Sequence, residues 1–248
     1  MTGKRSKERK AGSGRRTAAA LCLAALFAAA FATVFIHGGY PDKVLAKLGL
    51  RRNEVPVDWA TGWCRCLEYS GVDADVVFFG DSITSGGDFS RFFPDISICN
   101  LGVPGDTLRG MAERGEMIAA VKPEKVFVMG GINSLTDSSY DRTLEEYRAL
   151  LDRIGEVTDA EVCVQGILPV SAKQEKRLFV RNSTISRFNL EIAMLAEERG
   201  YTYIDLYGVF LKDGEMDPAC TKEGIHLNAK GYRTWADAIA GEIRKGAR

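Results

Sequence analysis

The chain has 248 residues, 46% of them hydrophobic, and a formal net charge of zero; that is enough for one good-sized core with a short appendage, and one domain is expected. The charge is unevenly placed. Residues 1 to 16 hold seven of the 33 Lys/Arg and one of the 33 Asp/Glu, which leaves the remainder with 26 against 32, and a net-acidic body excludes nucleic acid as the main partner because phosphate binding needs clustered cations.

Behind the basic head (residues 1–16), Thr17 to Ile36 runs without a charge, long enough to cross about 30 Å of hydrocarbon as a helix. Basic residues before such a run hold the amino terminus in the cytoplasm, so the body is expected outside it. Two readings compete: an uncleaved signal anchor, giving a membrane-anchored protein with an extracytoplasmic body, or a signal peptide cleaved after small residues such as Ala30-Phe31-Ala32, giving a secreted one. Val34, Phe35 and Ile36 carry the apolar run past that site and favour the anchor. Residues 37–55 then read as a stalk broken by Gly38, Gly39 and Pro41, and residues 56–248 as the folded domain. At its start Trp59, Trp63 and Leu67 share one helical face within Pro56 to Tyr69, which suits a helix packed on the body.

Val76 to Phe79, four apolar residues between Asp75 and Gly80, predict a strand buried on both faces. It stops at Gly80-Asp81-Ser82, which places Ser82 at the carboxyl edge of a sheet, where α/β proteins bind their ligands. Further strands are expected at Ile96 to Cys99, Val126 to Met129, Val162 to Leu168 and Tyr203 to Leu206. Helices are expected at Leu108 to Val121, Thr143 to Val157, Ile185 to Arg199 and Asn228 to Ile243. Strands separated by ten or more helical residues imply right-handed crossovers. The expected fold class is therefore α/β, a three-layer, doubly wound parallel sheet of about five strands, preceded by an N-terminal membrane-spanning helix. Cys99 and Cys163 sit in strand-like runs and are expected reduced and buried. Cys64 and Cys66 are too close for zinc-ribbon spacing, so no metal and no cofactor are assigned.

Outside the amino-terminal region the only histidine is His226, in a glycine-bearing loop before the last helix, with Glu223 three residues earlier. A serine at a strand end, this pair and two polar glycine loops at other strand ends fall on one edge of the expected sheet.

In four separated places the sequence resembles the SGNH, or GDSL-type, hydrolase family, closest to its acetylhydrolase-like esterase branch. Gly80 to Thr84 (GDSIT) resembles the nucleophile block. Asn100 to Thr107 (NLGVPGDT) looks like the block whose second glycine gives an oxyanion N–H, Gly130-Gly131-Ile132-Asn133 matches the Gly-x-Asn block, and Glu223 to His226 matches the Asp-x-x-His block with Glu for Asp. The resemblance implies Ser82 as nucleophile, His226 as general base and Glu223 as the acid that orients it. It also implies an oxyanion hole from the N–H groups of Ser82 and Gly105 and the amide of Asn133. Two departures stand out: Ser134 follows Asn133 where the family often has Asp, and Glu223 is longer than Asp by a methylene. Asp217 is the fallback acid.

The resemblance implies a serine esterase acting on short-acyl esters, acetyl above all, most of all on carbohydrate, with a small-molecule or glycan ester as substrate partner; the membrane is the partner expected from the N-terminal apolar run. Ser171 to Arg181, with four cations, follows the fourth strand and either walls the cleft or is a solvated loop. The rival activities are a lysophospholipase or other lipid esterase, which needs a long apolar groove, a cell-surface glycan O-acyltransferase, and a catalytically silent glycan-binding module.

Overall fold

The computed structural model describes residues 73–245. The expected head, membrane run, stalk and first helix, with Cys64 and Cys66, lie outside the described residues. The expectation of a membrane-anchored protein is corrected by the structure: among the described residues no helix is long and apolar enough to cross a bilayer.

The chain alternates strand and helix as the apolar runs require. β1 is Val76–Gly80, β2 Ile98–Gly102, β3 Lys125–Met129, β4 Glu161–Gln165 and β5 Thr202–Ile204. They form one sheet in the order β2-β1-β3-β4-β5, and every pairing is parallel. Nine-tenths or more of every β1 and β3 side chain is withdrawn from water, as a central strand covered on both faces must be. On one face Phe78 stacks on Phe89 at 3.8 Å between centroids and on Phe127 at 5.0 Å, and meets Trp235 edge-on at 6.5 Å. Trp235 comes from the last helix, which seals that face. Phe79, one residue on, points to the opposite side of the sheet. There the ladder is covered by successive helices, with Tyr147 and Phe188 meeting edge-on between two of them at 6.1 Å.

Helices were legible in kind but not always in extent. The single helix expected over Leu108 to Val121 is two, α2 (Leu108–Glu113) and α3 (Glu116–Val121), following the short turn α1 (Ser82–Ser85). The break falls at Arg114 and Gly115, where the arginine side chain turns inward to an ion pair with Asp106. The second strand starts two residues later than expected and runs on through Asn100 to Gly102, because its ladder to β1 continues to the Gly80–Gly102 pair. α4 is Tyr140–Val157, and Ser171 to Arg181 contains a helix, α5 (Ala172–Leu178). Beyond it come α6 (Asn182–Glu198), α7 (Leu206–Phe210), the hairpin β6 (Leu211–Lys212) and β7 (Glu215–Met216), and α8 (Ala229–Arg244). Cys99, Cys163 and Cys220 are buried.

The strand order sets the position of the site. From β1 the chain crosses to β2 on one side, and from β3 it crosses to β4 on the other, so β1 and β3 flank a topological switch point whose crevice opens at their carboxyl ends. Ser82 follows β1 and Asn133 follows β3.

Candidate active site

Ser82 is the first residue of α1. Asp81 caps that turn by accepting a hydrogen bond from the Ile83 N–H at 2.9 Å, the usual way of satisfying an orphan donor at a helix start. Asn100 fixes the turn from below: its Nδ2 donates to the carbonyls of Thr84 at 2.8 Å and Gly87 at 2.7 Å, while its Oδ1 accepts from the Gly102 N–H. Opposite, Tyr232 of α8 donates its hydroxyl to the Ile83 carbonyl at 2.8 Å, within the core. The helix that follows His226 is thereby bonded to the turn that carries Ser82.

Those ties bring Ser82 Oγ to 3.0 Å from His226 Nε2 across 144 residues of sequence. The other ring nitrogen, Nδ1, is hydrogen-bonded to Glu223 Oε1, which also accepts from the His226 main-chain N–H at 3.2 Å. Glu223 lies three residues back on a tight loop. Gly224 has φ +95°, and a Cβ there would fall 2.0 Å from Ser171 Oγ, so the turn that returns the acid to the imidazole requires glycine. Thr221 braces the loop by donating to the His226 carbonyl at 2.7 Å and accepting from the Gly224 N–H at 2.9 Å. Gln174 of α5 donates to the Glu223 carbonyl at 2.9 Å. Burial tends to raise the Glu223 carboxyl, but the hydrogen bonds from the His226 ring and backbone outweigh it and hold the group below its ordinary value. The extra methylene of Glu relative to Asp is thus accommodated by the loop. Asp217, the fallback acid, caps its own turn by accepting from the Ala219 N–H at 2.9 Å.

Asn133 Nδ2 donates to the Asp106 carbonyl at 2.9 Å, which places the amide beside Gly105, one residue earlier. Gly105 has φ +77°, a backbone state that is costly for any residue with a Cβ. Ser134 makes a contact that motif matching did not specify: its Oγ accepts from the Leu108 N–H at 3.1 Å, joining the loop after β3 to the start of α2. A side-chain oxygen at this position signals such a link only once its tertiary neighbour is known.

Three charged residues beneath the turn, Asp81, Asp106 and Arg114, were given no role by the sequence reading. Asp106 and Arg114 form a buried ion pair, 2.6 Å from Oδ2 to Nε. Asp81 is 1% exposed. Burial pushes its carboxyl up to about 7, with Asp106 adding to the rise and the Ile83 N–H, His226 and Arg114 opposing it. The folded chain therefore binds a proton at Asp81 between about pH 4 and 7 that the unfolded chain releases. Stability falls as pH rises through that window and does not return above it. At ~1.36 kcal/mol per unit the burden reaches as much as about 4 kcal/mol. Asp81→Asn keeps the acceptor for Ile83 and removes the charge, so its melting temperature relative to the parent is expected to climb between pH 5 and pH 8; a difference independent of pH contradicts a buried titrating carboxyl.

One group of acid and thiol side chains among the described residues has metal-like spacing: Glu161, Cys163 and Glu242. The Lys125 ammonium already stands there, 3.3 Å from Glu161 and 3.6 Å from Glu242, and burial pushes the Cys163 thiol up to about 12. It is an ion-pair cluster that ties β3 to the end of α8.

Two clefts are relevant. One of about 420 Å³ adjoins the acid loop and is lined by Ser171, Lys212, Glu215, Met216, Lys222 and Glu223 among others. A larger one of about 800 Å³ lies along α6 beside Leu190, Met194, Tyr201 and Tyr203 and includes no residue of the serine, histidine or asparagine blocks.

Residues 78–234 match the GDSL-like Lipase/Acylhydrolase family. Among solved structures, an acylhydrolase from Bacteroides fragilis, described there as putative, is similar with a TM-score of 0.66 at 22% identity, covering 77% of this chain and 99% of its own. A GDSL-like lipase from Bacteroides thetaiotaomicron has a TM-score of 0.65 at 20% identity, with 77% and 100% covered. A catalytic mutant of an acetylxylan esterase from Geobacillus stearothermophilus has a TM-score of 0.55 at 18% identity, with 71% and 96% covered. No curated protein matches the sequence.

Proposed function

We propose, given that this chain belongs to the GDSL-like Lipase/Acylhydrolase family and is a carboxylic ester hydrolase, that Ser82, His226 and Glu223 cleave short-acyl esters, acetyl above all, carried on carbohydrate. The observation that carries the reading is the relay from Ser82 Oγ through both imidazole nitrogens to Glu223. A serine hydroxyl is a poor nucleophile without a base. In the first half-reaction Ser82 Oγ bonds to the ester carbonyl carbon as its proton passes to His226 Nε2. The tetrahedral intermediate then collapses, the carbon–oxygen bond to the alcohol breaks, and His226 returns the proton to the departing alkoxide. In the second half-reaction water attacks the acyl-enzyme with His226 again as base, releasing the acid and restoring Ser82. Glu223 holds the imidazole in the tautomer that leaves Nε2 free to accept.

Charge on the carbonyl oxygen is met by the Ser82 and Gly105 N–H groups and by Asn133. An amide nitrogen has two donors; one binds the Asp106 carbonyl, and the second is assigned to the oxyanion.

The choice of carbohydrate rests on the cleft next to Glu223, whose walls carry Lys212, Lys222, Asp213, Glu215 and Thr221 beside the apolar Met216 and Pro218. Hydroxyl-rich alcohols suit such walls, whereas a long acyl chain needs apolar lining. The fold shared with an acetylxylan esterase is compatible with this choice.

The test is a series of aryl esters from acetate to decanoate assayed on the full chain. A steep fall in kcat/KM beyond acetate or propionate is expected, and a rise toward decanoate overturns the short-acyl assignment in favour of a lipid one.

A further inference from the structure

Arg114, where α2 ends, is 4% exposed, and its guanidinium is spent on three segments at once. Nε donates to Asp106 Oδ2 at 2.6 Å, Nη1 to the Leu101 carbonyl at 2.8 Å and Nη2 to the Gly80 carbonyl at 2.9 Å. Its carbon lies 4.1 Å from the centroid of the Phe79 ring, so the plane of the fork is fixed by a flat face as well as by its acceptors. Gly80 is the last residue of β1, two before Ser82, and Leu101 is near the end of β2. Asp106 directly follows Gly105, and its carbonyl is the acceptor that orients Asn133. One buried cation therefore ties together the segments bearing all three assigned oxyanion donors.

Stability alone is a weak reason for such a pair. Two charges taken from water lose several kcal/mol of solvation each, and apolar side chains of equal volume often serve as well. Geometry is a better reason. Donors lower a barrier only when they converge on the place where charge develops, and a displacement of about 1 Å can cost 10²-fold in rate.

We infer that Arg114 and Asp106 are positioning residues that hold the Gly105 N–H and the Asn133 amide at the spacing a carbonyl oxyanion requires. The inference rests on the reading of Gly105 and Asn133 as oxyanion donors. Neither residue touches substrate; they act through the backbone and through Asn133.

The experiment compares the parent with R114K, D106N, the double variant D106L/R114M and N133A. R114K keeps the charge but not the fork. D106N keeps shape without charge. The double variant fills the site with apolar volume, so a folded protein is in hand even where a half-broken pair is not tolerated. Active sites are titrated with a fluorophosphonate so that only folded enzyme is counted. Then kcat and KM for an acetate ester are measured, together with the inhibition constant of an alkylboronic acid, whose tetrahedral adduct on a serine mimics the oxyanion. R114K, D106N and the double variant are expected to lose about 10- to 100-fold in kcat and in boronate affinity, with KM within about threefold of the parent, the pattern of an interaction made only in the transition state. Parent-like kcat and boronate affinity in a folded Arg114 or Asp106 variant, beside an impaired N133A, overturns the inference alone. A parent-like N133A overturns the donor assignment and the inference with it.

Discussion

Ser82→Ala is expected to lower kcat for an acetate ester by about 10⁴- to 10⁶-fold while leaving the melting temperature close to that of the parent. Ser82 is partly exposed and makes one side-chain hydrogen bond, to His226 Nε2, so its removal opens no cavity. Without Oγ no acyl-enzyme forms, and the residual rate comes from water attacking an ester held in the oxyanion site. His226→Ala is expected to lose as much, because the two residues act as one unit; the double variant should be no worse than either single one. A serine-directed fluorophosphonate should label the parent once, at Ser82, and leave Ser82→Ala unlabelled. Labelling elsewhere, or a Ser82→Ala variant with parent activity, would remove the nucleophile assignment and favour a binding role.

The second large effect is expected at Asn133. Asn133→Ala removes one of three donors, and comparable single losses cost about 10²- to 10³-fold in kcat, or ~2.7–4 kcal/mol of transition-state stabilisation. The ground-state carbonyl gains little from that donor, so KM should change by less than about threefold. Asn133→Ala also frees the Asp106 carbonyl from its 2.9 Å bond, and part of the loss will come from that relaxation. Asn133→Asp separates the two contributions: it keeps the size but replaces donors by acceptors next to developing negative charge, and is expected to be slower than Asn133→Ala. If Asn133→Ala retains parent kcat, the amide serves only to brace the loop after β3, and the oxyanion hole is a two-donor site.

Much of this architecture was readable from local pattern. Val76 to Phe79 in β1 and Val126 to Met129 in β3 are uninterrupted apolar runs, the signature of a strand covered on both sides, and the polar glycine turns behind them give the site its serine and its asparagine. The loop ending in His226 was legible for the same reason, since Gly224 has to turn the chain so that a side chain three residues back can meet the ring. Arg114 was not legible. It falls within a stretch of helical periodicity, where an arginine reads as a solvated position, and only the fold brings Asp106, Leu101 and Gly80 around it. Ser134 stood out only as a departure from the family pattern, because a hydroxyl names its partner only through distance. The stretch Ser171 to Arg181 read as a wall or a solvated loop because four cations crowd it; the place of α5 within it is fixed by contacts remote in sequence, among them the Ser171 N–H to the Gly224 carbonyl and Gln174 to the Glu223 carbonyl.

The 144-residue separation of Ser82 from His226, with Trp235 seated against Phe78 and Tyr232 bonded to the Ile83 carbonyl, dictates when competence arrives during biosynthesis. The proposed nucleophile leaves the ribosome long before its base exists, so truncated translation products carry an inert serine.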